Sequence, residues 1–190
     1  MTTLRDAIVA ADEQLDVTAD APPAPAPAAA AGRFVLLSIA STHYAVPEAF
    51  VTELERVPRV TIVPRVPEWL LGVTNLRGDI VSVIDVRAYL GLAPFASATG
   101  RMLVVRLLDE PFTTGLIVDA VDRIVTLHSE DIKAPASPLD GALAPFVSGV
   151  CTTGDRLVAV LDVDRLLRSP DIRQFDETRS VDAAASAETH

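Results

Sequence analysis

The chain carries one sequence device twice, and that duplication limits its possible folds more than any other feature. Trp69-Leu70-Leu71-Gly72-Val73 through Leu90 aligns without a gap to Phe146-Val147-Ser148-Gly149-Val150 through Leu167. Seven positions are identical: Gly72/Gly149, Val73/Val150, Val81/Val158, Val83/Val160, Asp85/Asp162, Val86/Val163 and Leu90/Leu167. Each copy reads as an apolar run, a polar turn, a second apolar run and then an aspartate where a helix N-cap belongs. The segments ahead of the copies correspond in outline, since Phe34–Leu54 and Met102–Ile124 both read strand, turn, strand, strand. The simplest architecture from these residues is two similar subdomains, each a small β-barrel closed by the helix after its last strand. Neither half is large enough to be strongly stable alone, so an apolar seam shared between them is expected.

The remaining pattern is also mostly β. Short runs rich in Val, Ile and Leu fall at Phe34–Ile39, Tyr44–Val46, Val51–Leu54, Val60–Val63, Leu71–Leu76 and Ile80–Ile84. More follow at Arg101–Leu108, Thr113–Val118, Ile124–Leu127, Val147–Val150 and Leu157–Leu161, punctuated by Pro, Gly and charged residues. Short helices are expected after Asp85, stopping at Gly91, and from about Asp162 to Leu167. Residues 1–32 form an N-terminal segment that ends in a Pro/Ala linker over 21–32. Within it Leu4, Ile8, Ala11 and Leu15 fall on one face of a short helix, which reads first as a frayed, solvated tail and alternatively as a tethered docking peptide. Residues 33–168 are the expected folded body, and 169–190 an acidic, Ala-rich tail.

The net charge of −10 excludes nucleic acid as a partner, because phosphate neutralisation needs clustered Lys or Arg. Much of that charge lies toward the ends, and residues 34–169 hold sixteen acids against twelve bases. Cys151 is the sole cysteine and reads as a buried apolar residue, with neither a disulfide framework nor a thiolate metal cluster. His43 and His128 read as exposed turn residues, and no histidine pair has metal-ligand spacing. Asp162 and Asp164 suit a helix N-cap and first turn better than a metal pair. Asp119 and Asp122 suit a turn. There is no phosphate-binding glycine loop, dinucleotide fingerprint or nucleophile elbow, so neither enzymatic activity nor a cofactor is expected. No apolar stretch reaches the roughly 20 residues that span a bilayer, and no signal-peptide core is present. The expected location is the cytoplasm, without direct membrane insertion.

The two copies differ most at their turns. Asn75-Leu76-Arg77-Gly78-Asp79 in the first is replaced by Thr152-Thr153-Gly154-Asp155-Arg156 in the second. Asn and Gly around an arginine favour a tight turn that presents the guanidinium outward, where it can form bidentate contacts and stack on apolar surface. The structural alternative is an ion pair to a neighbour such as Glu53. The two readings are compatible if the pair lies on the lip of a groove.

The run Gly72-Val73-Thr74-Asn75-Leu76-Arg77-Gly78-x-Ile80-Val81-x-Val83-Ile84-Asp85-Val86-Arg87 resembles the hallmark of the CheW-like chemotaxis coupling family. Tyr44-Ala45-Val46, Val51-Thr52-Glu53-Leu54, Val63-Pro64-Arg65-Val66-Pro67 and Gly115-Leu116-Ile117-Val118-Asp119 follow in family order. The resemblance covers roughly residues 33–168. It implies an all-β fold of two intertwined five-stranded β-barrel subdomains sharing a hydrophobic core. It also implies a non-enzymatic adaptor, monomeric in isolation, that links methyl-accepting chemoreceptors to the regulatory domain of a CheA-type histidine kinase. The receptor's helical hairpin tip would lie in a groove of the adaptor, within membrane-associated or cytoplasmic arrays.

Carried over by position, Val51 and Glu53 would line that groove beside Asn75, Arg77 and Gly78, and Gly72 would allow close backbone approach there. Gly115 and Ile124 fall where the family contacts kinase or receptor. Two departures stand out. Ser82 replaces a proline usual in the motif, a change expected at a strand edge, and the N-terminal extension lies outside the minimal family pattern. The extension suits a specialised paralogue that serves another receptor array, or one that engages receptors or a polar-localisation partner without kinase. A kinase or a receiver-bearing adaptor would need domains for which this chain has no room. A small-ligand binder using the inter-barrel groove would need a deep pocket with convergent polar groups.

Overall fold

A computed structural model of the protein describes residues 31–94, 100–135 and 142–175. Ten strands form two five-stranded sheets. The first half contributes β1 (Ala31–Ile39), β2 (Thr42–Pro47), β3 (Val51–Arg56), β4 (Leu70–Leu76), β5 (Asp79–Asp85) and helix α1 (Val86–Tyr89). The second contributes β6 (Arg101–Arg106), β7 (Thr113–Val118), β8 (Ala120–His128), β9 (Val147–Thr153), β10 (Arg156–Leu161) and helix α2 (Val163–Leu167). A further helix, α3 (Pro170–Arg173), follows. Among the described residues no helix is long and apolar enough to cross a membrane.

The halves do not fold side by side. Sheet A has the order β8-β1-β2-β10-β9 and sheet B the order β3-β6-β7-β5-β4. Each half lends its first two strands to one sheet and its last three to the other. The expectation of one subdomain per half is therefore corrected: the halves exchange strands, and the two sheets are intertwined. At the seams β2 runs parallel to β10 and β5 parallel to β7, while β1–β8 and β3–β6 are antiparallel.

The apolar runs explain why this arrangement is favourable. In β1, Phe34 and Leu36 enter a cluster private to sheet A, whereas Val35, Leu37 and Ile39 enter a cluster common to both sheets. In β6, Met102 and Val104 enter a cluster private to sheet B, and Leu103 and Val105 the common one. The central strands are thus buried on both faces, which accounts for runs such as Met102–Val105 with no polar alternation. The edge strand β3 alternates instead, with Thr52, Leu54 and Arg56 exposed.

The duplicated hairpins share their closing hydrogen bonds and caps. The Asp85 amide donates to the Trp69 carbonyl and the Asp162 amide to that of Phe146, both at 2.7 Å. Asp85 accepts from the Arg87 and Ala88 amides and Asp162 from the Arg165 amide, so the expected N-caps are present. Gly91 ends the α1 region at φ +69°.

Four local expectations change. Val60–Val63 is no strand: Thr61 alone bridges to Val73, hemmed by Pro58 and Pro64, and Ile62 stands in solvent. Ser82 lies between β4 and β7 rather than at an edge, and its hydroxyl meets that of Thr114 at 2.9 Å. Beyond α2, Ile172 enters the common core and Phe175 packs edge-on against Trp69, so residues 170–175 belong to the packed body. Strand β1 begins at Ala31, within the stretch assigned to the linker; the Leu4–Leu15 face lies outside the described residues.

Candidate functional site

Sheet B curls until its two edges approach, and a groove of about 370 Å³ opens at its mouth. Thr52 and Glu53 come from β3, Leu76 and Arg77 from the end of β4 and its turn, Asp79 and Val81 from β5. Val104, Pro111 and Thr113 complete the wall from the β6–β7 side. The lining mixes carboxylates and a guanidinium with aliphatic surface, which suits a partner's side chains rather than a buried reaction.

Arg77 Nη2 lies 3.1 Å from Glu53 Oε2, joining the β4–β5 turn to the opposite edge strand. The arginine side chain is 75 % exposed and the glutamate 20 %. That carboxylate oxygen is buried yet receives no aligned hydrogen bond, so the arginine neutralises it through space. The ion pair expected as the structural alternative is present, and it lies on the lip of the groove.

The turn itself is tighter than the polar stretch suggested. Asn75 and Leu76 belong to β4 and Asp79 to β5, leaving Arg77 and Gly78 as a two-residue loop. Both have positive φ, +56° and +103°, the combination of a type I′ hairpin. Asn75 Oδ1 accepts from the Gly78 amide at 2.9 Å and fixes the loop.

Other residues singled out from the sequence lie elsewhere. Val51 packs against the common core, and its neighbour Thr52 takes the place on the groove wall, because β3 shifts register between Val51 and Glu53. The close approach at Gly72 is internal: a Cβ there would stand 2.1 Å from the Thr61 carbonyl oxygen. Gly115 is buried, and its missing Cβ makes room for Met102 Sδ. Ile124 is exposed, but on β8 of sheet A.

The groove residues that sequence reasoning passed over are Thr52, Leu76, Asp79, Val81, Val104, Pro111 and Thr113. Leu76 and Val81 stood in the hallmark run, Asp79 at its unassigned position and Thr52 between Val51 and Glu53. Val104, Pro111 and Thr113 had no local signal, since strand exchange brings β6 and β7 beside β3 and β5.

Among the described residues no cluster of His, Cys, Asp or Glu could hold a metal ion. Cys151 is buried, and that burial raises its thiol pKa. Asp119 Oδ2 accepts from the Ala40 amide at 2.6 Å and from Arg87 Nη1 at 3.0 Å, a bracing contact between α1 and the β1–β2 turn.

The family model for the CheW-like domain matches residues 33–171. The chemotaxis protein CheW of Klebsiella aerogenes is 27 % identical over 144 residues, spanning 75 % of this chain and 86 % of its own. Protein PilI of Pseudomonas aeruginosa is 36 % identical over 109 residues, 56 % of this chain and 60 % of that protein. The crystal structure of scaffolding protein TtCheW from Thermoanaerobacter tengcongensis is similar with a TM-score of 0.65 and 28 % identity. It covers 74 % of this chain and 94 % of that one.

Proposed function

The chain belongs to the CheW-like domain family, a family of scaffold adaptors, and we propose that it couples methyl-accepting chemoreceptors to a CheA-type histidine kinase. The observation that carries this reading is the Glu53–Arg77 pair on the lip of the sheet B groove. An exposed arginine held at a turn, over an aliphatic floor, has the chemistry of an interface anchor. Glu53, Asn75, Arg77 and Gly78 form the contact face, with Thr52 and Asp79 beside them. Ile124, exposed on sheet A, is a second contact point. Val51, Gly72 and Gly115 support these surfaces from within.

Arg77→Glu tests the assignment. It places a carboxylate beside Glu53 and removes the anchor, while the exposed pair itself contributes only about 0–1 kcal/mol to folding. Pull-down by the cognate receptor fragment or kinase regulatory domain should fall about tenfold or more, with unfolding unchanged. Capture of both partners at the wild-type level would sink the site assignment.

Residues 1–32, which precede the family match, support a second reading, a specialised paralogue that serves another receptor array or a polar-localisation partner without kinase coupling. Retention of receptor fragment with no kinase domain bound would favour it.

A further inference from the structure

The strand registers give most groove residues of sheet B a twin in sheet A. Val104 pairs with Gly115 and Glu53, and Gly115 with Val83; Leu36 pairs with Ala45 and Arg123, and Ala45 with Val160. Glu53 therefore corresponds to Arg123, Thr52 to Asp122 and Thr113 to His43. The sequence repeat adds that Asp79 corresponds to Arg156 and Arg77 to Gly154. The twin site is a shallow notch lined by Leu36, His43, Asp122, Arg123, Arg156 and their neighbours.

Its charge is inverted. The groove of sheet B has Glu53 and Asp79 against Arg77, whereas the notch has Arg123 and Arg156 against Asp122. Arg156 Nη1 lies 3.3 Å from Asp122 Oδ2, and Arg123 is exposed with no ion-pair partner among the described residues. The fold requires none of this, since the same scaffold in sheet B carries the opposite sign.

We infer that this notch is the docking site of the chain's own acidic segment, residues 1–20. That segment carries Asp6, Asp12, Glu13, Asp16 and Asp20 against Arg5. It is tethered to the strand that forms the notch: the chain enters at Ala31 of β1, and Leu36 of the same strand lines the notch about 17 Å further along. The ten residues 21–30 can span at most about 31 Å, more than the roughly 17 Å between Ala31 and Leu36. A tether of this length gives a local concentration of order mM, so an intrinsic affinity of order mM suffices for occupancy. The acidic residues beyond 175 are a poorer fit, because the chain leaves there beside Trp69, at the sheet B side. An occupied notch would deny this face to any acidic partner.

The test uses ¹⁵N-labelled full-length protein and the tail variant Asp12→Asn/Glu13→Gln/Asp16→Asn/Asp20→Asn. At about 50 mM salt the amide resonances of His43, Arg123 and Arg156 should differ between the two proteins. Raising salt to about 0.5 M should move wild type onto the variant, because exposed charges are screened. Those differences should survive a roughly tenfold dilution, as an intramolecular contact must. Arg123→Glu should shift the resonances of residues 6–20 to their high-salt positions. Identical notch resonances at low salt would overturn the proposal. So would differences that fade on dilution, which would place a second copy in the notch, or that map to Glu53 and Arg77 instead.

Discussion

Gly72 and Gly149 occupy the same place in the two copies, yet their replacement by alanine should cost different amounts. Both sit where a flanking segment bridges onto the hairpin: Thr61 exchanges two hydrogen bonds with Val73, at 2.7 and 2.9 Å, and Lys133 two with Val150, at 2.9 and 2.8 Å. Gly72 has φ +136°, which an alanine adopts only at about 1–3 kcal/mol of strain. Its Cβ would also stand 2.1 Å from a backbone oxygen of Thr61, so the bridging segment must move and its two hydrogen bonds weaken, for about 1–3 kcal/mol more. The total is about 2–6 kcal/mol. Gly149 has no positive φ, and the nearest obstacle to its Cβ is Ile132 Cγ2 at 2.5 Å, a side-chain methyl that can rotate away. The Lys133 oxygen at 3.0 Å needs only a small shift, so Gly149→Ala should cost about 1–2 kcal/mol. Urea denaturation of both variants measures the difference as a shift in midpoint at unchanged slope. Equal costs, or a larger one at Gly149, would refute the claim that backbone approach at Gly72 is the stricter constraint.

The two helix caps should rank in the same way. Asp85 is fully buried and accepts two amides at 2.9 and 3.2 Å, so Asp85→Ala should cost about 1–3 kcal/mol, against about 0.5–2 for the more exposed Asp162→Ala; thermal unfolding in the reverse order would contradict the burial argument. Burial raises the Cys151 thiol pKa, so the folded chain resists an ionisation that the unfolded thiol undergoes near pH 8.5. Its contribution is complete below that value and is lost as the pH rises from there through the higher folded value. Urea midpoints between about pH 8.5 and 10 should therefore fall more steeply for the wild type than for Cys151→Ala, and parallel slopes would remove the thiol as the cause.

Most strands were legible because two-sided burial leaves a local trace: Leu103-Val104-Val105 is apolar throughout, and each residue reports burial whichever neighbour covers it. That same property hid the strand exchange. A strand buried on both faces carries no mark of which half supplies its partner, so the repeat suggested two sequential units where the chain builds two exchanged ones. Val60–Val63 misled for a related reason, since an apolar run between prolines can make one bridge and no ladder. At the site, the turn and the Glu53–Arg77 pair were legible, one from Asn-x-x-Gly chemistry and the other from opposite charge. Val51, Gly72 and Gly115 were read as surface residues because position along a strand does not say which face is outward. The register shift in β3 and the approach of Thr61 and Met102 decide that, and both depend on contacts distant in sequence.

What the two copies share and where they part also separates scaffold from function. The identical residues do matched work: the glycines admit a bridging segment, the aspartates cap helices, and the valines fill equivalent cores. The turns are not matched. Gly154 alone of the second turn has positive φ, at +65°, and a glycine takes that conformation freely. The first turn puts an arginine at φ +56°, a conformation costing a side-chain-bearing residue about 1–2 kcal/mol, and uses Asn75 to hold it. A glycine at 77 would relieve that strain, and the second copy closes its own two-residue hairpin with a glycine at the corresponding position. The strain is therefore not a requirement of the fold, and it falls on the one guanidinium at the groove lip. This points to Arg77 as a residue held for contact rather than for stability, and it explains why Arg77→Glu should separate binding from folding.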